Sequence, residues 1–303
     1  MLVEPGSTTM DIHLVDGTYE LFRQHFGQAA RHESPGPLAA AAGVVASTLQ
    51  LVADGATHIG VASDHVIESF RNDLWPGYKT SEGMLPELLA QIPVVETALA
   101  AAGFTVWAMV EVEADDALGA AAAVASADAR VGRVFILTPD KDLGQCVEGD
   151  RVVQYDRRKR EILDRDGVIA KFGVPPESIA DYLALVGDSA DGYPGLPGWG
   201  AKSAAAVLAR FGTIEAIPDS SADWGIGGLR GAEKLAVTLR DQRPLAMLFK
   251  RIATVERDVD VGTVDSWRWA GPRPSFEQWA IDLGAPELWT RATRLAGRAA
   301  PAE

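Results

Sequence analysis

The chain has 303 residues, 47% of them hydrophobic, with a mean hydropathy of +0.02, enough for a globular protein with one large core and a smaller one. No apolar run reaches the roughly 18–20 residues that span a bilayer, and the polar start MLVEPGSTTM has neither a basic nor an apolar signal region, so neither a membrane span nor a secretion signal is expected. A net charge of −14 rules out nucleic-acid recognition by an overall positive field, so any such role must rest on local basic patches. The single cysteine, Cys146, rules out an internal disulfide and a cysteine-built zinc site, and it fits a reducing cytoplasm.

Residues 1–9 are expected to form a disordered leader, with Met10 as an alternative start. From there, strands expected at Ile12–Val15, His58–Ala62, Val106–Val110, Val134–Leu137 and Val152–Tyr155 alternate with helical patterns at Leu38–Ala53, Pro86–Ala102 and Asp115–Ser126. That alternation predicts an α/β core over 10–177, with a mostly parallel sheet, flanking helices and ligands gathered at the carboxyl ends of the strands. At Pro175 the character changes. An apolar helix runs to Gly187, and a Gly/Pro-rich turn leads into a small-residue helix at Lys202–Arg210, so 178–262 reads as a helical subdomain. The Trp-rich remainder, 263–303, holds Trp267, Trp269, Trp279 and Trp289 and is expected to pack back onto the body.

Nine acidic residues fall in five short clusters on or beside apolar segments: Asp16; Asp64; Glu113, Asp115 and Asp116; Asp140 and Asp142; Asp188 and Asp191. Crowded carboxylates need compensating cations, and oxygen donors suit hard divalent ions, which points to phosphoryl chemistry. Each cluster also has a plainer reading. Asp16 precedes a glycine and fits a turn, and Asp64 is similar. Glu113–Asp116 fits the positive end of a helix, although three acids in four residues repel one another. Asp140 and Asp142 point the same way, and Lys141 away from them, if that segment is extended. Asp188 and Asp191 follow a helix C-terminus, where the dipole disfavours acids, and share one face if the helix continues a turn. The hairpin Gly195–Gly200, with Gly198 at its centre and Lys202 just beyond, has the open backbone to hold a phosphate. The run Arg157–Arg160 fits either a phosphate grip or a solvated hairpin tip.

In order, LVDG, FRNDLWPGYK, EADD, ILTPDKDL, GVPPESIADYLALVGDSADGYPGLPGWGAKSA and LARFGTIEAI resemble the bacterial 5′→3′ exonuclease and flap endonuclease family, fused to DNA polymerase I in many bacteria. The resemblance covers roughly Ile12 to Val261 and is most specific over Gly173–Ile217. It implies a PIN-like nuclease core followed by a helix–hairpin–helix module, with the nine acids holding two or more Mg²⁺ or Mn²⁺ ions. It also implies that Arg71 and Lys79 contact the scissile phosphate and that Tyr78 stacks a terminal base. Gly195, Gly198, Gly200 and Lys202 would hold duplex backbone, with a monovalent ion such as K⁺. The implied substrates are 5′-flap, nicked or recessed duplex DNA and RNA primers in replication and repair, cut by a monomer with no polymerase domain in the same chain. A non-catalytic DNA-junction binder and a PIN-type ribonuclease are the alternatives. The sequence departs from the family pattern in having no Lys or Arg between Lys79 and Arg130, and Gly192-Tyr193 where Asn-Ile is usual.

Overall fold

A computed structural model of the chain describes residues 9–29 and 36–299, so the expected leader lies outside the described residues except for Thr9, as does the end of the tail. The chain forms two compact units. One takes in the chain up to Ile67, Ser81–Thr138 and the chain from Arg257 onward; the other takes in Glu68–Thr80 and Pro139–Glu256. The first unit opens with β1 (Met10–Asp16), α1 (Gly17–Ala29), α2 (Ala39–Ala53) and β2 (His58–Asp64). After α3 (Phe70–Leu74), which belongs to the second unit, it resumes with α4 (Pro86–Leu89), α5 (Ile92–Ala101), β3 (Thr105–Met109), α6 (Ala114–Ala127) and β4 (Val131–Leu137). The second unit continues with β5 (Val152–Asp156), β6 (Glu161–Leu163), α7 (Arg165–Phe172), α8 (Ile179–Val186), α9 (Ala201–Phe211), α10 (Ala232–Asp241) and α11 (Arg243–Ala253). The helices α12 (Phe276–Asp282) and α13 (Glu287–Ala299) complete the first.

In the first unit the strands lie in the order β3-β2-β1-β4, all parallel, with Val15 opposite Val61 on one side and Leu137 on the other. Ile12, Leu14, Val15, Ile59, Val61, Val134 and Ile136 are buried, as strands covered on both faces require. The helix α6 packs on β1 and β4, while α5 packs on α2 and β3. The expected helix over 86–102 is two helices, because Pro93 in the first turn of α5 lacks the N–H needed to continue α4. Strand order moves outward from β1 to β3 and then jumps to the other side of β1, which makes the β1/β4 edge the switch point where ligands collect. Asp16 ends β1 there, and Asp64 ends β2 at the same edge. In the tail, Trp267 crosses the Trp107 ring edge to face at 5.5 Å, and Trp269 donates to the Ala102 carbonyl at 2.9 Å.

In the second unit α8 packs against both α9 and α11 around a core that includes Leu183, Leu185, Val207, Leu208, Phe249 and Ile252. The strands β5 and β6 form an antiparallel hairpin, with Tyr155 opposite Ile162. Its tip is Arg157–Arg160, where the Asp156 carboxylate accepts the N–H groups of Arg158 and Lys159 at 2.9 and 3.1 Å. Strand pairing is therefore mixed, which corrects the expectation of a PIN-like, mostly parallel sheet. A four-residue connection can only reverse the chain, whereas a parallel neighbour needs a crossover of a dozen residues or more.

Candidate metal centre

The nine acids divide between the two units, five in the first and four in the second. In the first unit Asp16 accepts the Tyr19 N–H and the Thr138 hydroxyl, both at 2.8 Å, and so caps α1 while tying it to the end of β4. Asp64 accepts the Ala114 N–H at 2.8 Å and thereby fixes the start of α6. Glu113 and Asp116 form a capping box at that start, with the Glu113 N–H donating to Asp116 at 2.8 Å, and Asp115 is half-buried between them.

In the second unit the four acids are carried by two turns. The first begins after Pro139, where a short 3-10 helix over Asp142–Cys146 winds the chain so that the Asp142 N–H donates to the Asp140 carboxylate at 3.0 Å. The extended conformation expected for Asp140–Asp142 is absent, and Lys141 does not point away from the acids: its Nζ lies 2.5 Å from Asp188 Oδ2. Two glutamines hold this turn. The Gln154 amide donates to the Asp140 carbonyl, and the Gln145 amide donates to the carbonyls of Asp142 and Ala253, each at 2.8 Å. Neither Lys141 nor these glutamines was singled out from the sequence. Lys141 was visible between two aspartates, but nothing in the spacing marks Gln145 or Gln154.

The second turn follows α8, which stops at Gly187 as the sequence reading has it, so the further helical turn that would align Asp188 and Asp191 does not form. Gly187, at φ +81°, ends the helix, and reciprocal N–H···O bonds between Asp188 and Tyr193, at 2.8 and 3.0 Å, fold 188–193 into a tight loop. The loop still brings Asp188 and Asp191 together. Gly192, at φ +82°, sits so close to the Gly77 carbonyl that an added Cβ would lie 2.0 Å from it. That approach seats the Trp75–Lys79 segment along the loop. The Trp75 indole donates to the Gly192 carbonyl at 3.0 Å, the Lys79 N–H to the Asp191 carbonyl at 3.0 Å, and Lys79 Nζ lies 3.1 Å from Asp191 Oδ1.

Asp142, Asp188 and Asp191 each offer a carboxylate oxygen within 4.8 Å of the others, the one such group of acids among the described residues. Asp142 and Asp188 are buried, and the Asp191 side chain is 13% exposed. Burial, then the charges of Asp140, Asp191 and Asp188, push the Asp142 carboxyl well above the usual carboxylate range. Burial also raises Asp191, against the pull of Lys79. Burial opposes the charge on Lys141, but its bond to Asp188 and the neighbouring acids outweigh that and raise its pKa. Asp142 Oδ1 is buried with no hydrogen-bond partner. Three close carboxylates, one with an unsatisfied oxygen, and no nitrogen or sulfur donor among them, are suited to a hard divalent ion such as Mg²⁺ or Mn²⁺. Asp142, Asp188 and Asp191 are thus arranged to hold one.

The remaining candidates all lie in the second unit. Arg71 is buried, and its guanidinium donates to the carbonyls of Ile252 and Thr254 at 2.8 and 3.1 Å, at the C-terminal end of α11. Tyr78 is buried in the core of the second unit, with Lys79 Nζ 5.5 Å from its ring centroid. Gly195, at φ +69°, packs against Gly187, where a Cβ would meet the backbone at 2.3 Å. Gly198 and Gly200 are exposed, with no atom closer than 3.9 Å to an added Cβ, and exposed Lys202 lies in the first turn of α9.

Fold and site together define an α/β protein with an acidic divalent-metal centre. The chain belongs to the 5′-3′ exonuclease family. The family's N-terminal resolvase-like domain matches residues 11–173, and its C-terminal SAM fold matches 174–275. A resolvase-like domain thus stands where a PIN-like core was expected. The chain is 33% identical to a 5′-3′ exonuclease of Aquifex aeolicus over 210 residues, 68% of this chain and 71% of that protein. It is also 33% identical to the DNA polymerase I of Pseudomonas aeruginosa over 259 residues, 82% of this chain but only 27% of the polymerase, so the chain spans about a quarter of that relative's length. A structure of T5 5′-exonuclease with bound zinc ions shares the fold, with a TM-score of 0.63 at 18% identity, over 95% of this chain and 98% of that one.

Proposed function

We propose that this chain is a metal-dependent, structure-selective 5′ nuclease, a hydrolase that cuts DNA phosphodiesters at 5′ ends, 5′ flaps, nicked or recessed duplex and RNA primers in replication and repair. The observation that carries this reading is the cluster of Asp142, Asp188 and Asp191 with its unsatisfied Asp142 oxygen, in a chain of the 5′-3′ exonuclease family. A bound Mg²⁺ or Mn²⁺ supplies Lewis-acid stabilisation of the charge developing on the phosphate and makes water more acidic. Asp142, Asp188 and Asp191 would hold such an ion. Asp140 is proposed to join that group in the second unit, and Asp16, Asp64, Glu113, Asp115 and Asp116 of the first unit are proposed as metal ligands too, for two or more ions in all.

Lys79 is proposed to contact the scissile phosphate, since its ammonium lies beside Asp191 of the cluster. Arg71, tied to α11 by its two carbonyl bonds, works as a positioning residue for α3 and the segment that carries Lys79. Tyr78 anchors that segment in the core, and a base would reach its ring only if the segment moved. The exposed backbone of Gly198 and Gly200 with Lys202, beside the tight Gly195 turn, forms the duplex-binding part of a helix–hairpin–helix, to which K⁺ belongs as the monovalent ion. A monomer in the cytoplasm completes the proposal. The lone cysteine fits a reducing compartment.

The test is cleavage of a labelled 5′-flap duplex in Mg²⁺ or Mn²⁺ by the full chain and by the double variant Asp140→Asn, Asp142→Asn. Cleavage by the wild type and none by the variant is expected. Equal cleavage by both would remove the mechanism, and tight flap binding by the wild type without cleavage under any divalent ion would point instead to a junction-binding role.

A further inference from the structure

Tyr193 follows the last acid of the cluster by two residues, and the function proposed above gives it no part. Its side chain is 1% exposed, and its hydroxyl is buried with no hydrogen-bond partner. The ring is held on two sides. It stacks on Phe249 of α11 at 5.5 Å and 30°, and its backbone is clamped to Asp188 by the reciprocal bonds that close the loop. Those bonds seat Tyr193 beside Asp188, whose carboxylate lies within 4.8 Å of those of Asp142 and Asp191. In this part of the second unit, a buried donor without an acceptor accompanies a buried acceptor, Asp142 Oδ1, without a donor. A core filler at this position would be phenylalanine, which packs the same ring without an unsatisfied hydroxyl.

We propose that Tyr193 is a positioning residue of the metal centre, whose hydroxyl donates to the Asp142 carboxylate, directly or through one water, when a divalent ion draws Asp142, Asp188 and Asp191 together. Outer-shell donors of this kind fix the orientation of a ligating carboxylate, and in the metal-free protein the hydroxyl has no such task. This inference rests on the metal-centre reading above, and two signs of opposite direction separate it from a packing role.

The test compares the full chain with Tyr193→Phe by electron paramagnetic resonance of free Mn²⁺ and by thermal melting in EDTA. The expected result is a fall in Mn²⁺ affinity of about tenfold with a metal-free melting temperature equal to or above that of the wild type. A variant that binds Mn²⁺ within about twofold of the wild type overturns the proposal. So does an affinity loss accompanied by a matching drop in the metal-free melting temperature, since that marks the hydroxyl as structural. A wild type that binds no Mn²⁺ would sink the metal-centre reading itself, a result distinct from either.

Discussion

Lys141 lies between two aspartates in the sequence and is bonded in space to a third, Asp188, which is 3% exposed. Removing the ammonium leaves a buried carboxylate without its counter-charge, a costly change even after allowing for a lysine side chain that is 34% exposed. Lys141→Ala is therefore expected to destabilise the metal-free protein by about 1–3 kcal/mol, measured by urea unfolding in EDTA, with a smaller effect in Mn²⁺. The same residue shows what single positions reveal in a sequence. The acids were legible because their types and placement at strand ends carry a chemical demand. Where Lys141 points was not, because the alternation rule holds only while the backbone stays extended, and a 3-10 turn sets in at Asp142. Arg71 makes the same point: its charge marks it for a phosphate, but only the fold shows it bonded to the carbonyls that end α11.

At the scale of elements, the loop 188–193 depends on a glycine contact that joins it to the Trp75–Lys79 segment. Gly192 needs both a positive φ and the space a side chain would take from the Gly77 carbonyl. Gly192→Ala is expected to cost at least about 2 kcal/mol in urea unfolding and to weaken Mn²⁺ binding, since moving the loop moves Asp191. Unchanged stability would show that the two segments need not touch. Elements with strong periodicity, such as β1, β2, β4, α2 and α6, were visible in the sequence to within a few residues. The antiparallel strand β6 was not, because three residues with an exposed isoleucine carry no strand pattern. The end of α8 was marked by Gly187, yet a glycine alone does not tell a helix stop from a continued turn.

For the whole molecule, the governing quantity is how a chain of net charge −14 carries so many acids. The folded pKa of Asp142 lies above its ordinary value of 3.8, so the folded protein retains a proton that the unfolded chain releases. The site is then harmless below that value and becomes progressively unfavourable as pH climbs from 3.8 towards the raised pKa. In EDTA, Asp142→Asn should be more stable than the wild type by a margin on the order of 1–3 kcal/mol that opens over this range and then levels off. With Mn²⁺ present the order should reverse. Equal stability at every pH in EDTA would mean that the acids do not strain the metal-free fold. The α/β class and the helical second half were readable from strand–helix alternation and the change at Pro175. The division of the nine acids into five and four was not, because chain order does not say which segments pack as one unit.

The two lysines at the acid cluster carry a further consequence. With Asp140, Asp142, Asp188 and Asp191 all ionised, as at a pH above the raised Asp142 value, Lys79 and Lys141 would leave two negative charges uncancelled, the charge of one divalent ion. Metal uptake would then work as an ion exchange. The acids would hold the ion, and like-charge repulsion would loosen Lys79 and Lys141 from them. Lysines tied to the acids of the cluster would thereby be offered to an anion only with the metal in place. In so acidic a protein, attraction for a phosphate strand would be generated on demand rather than stored.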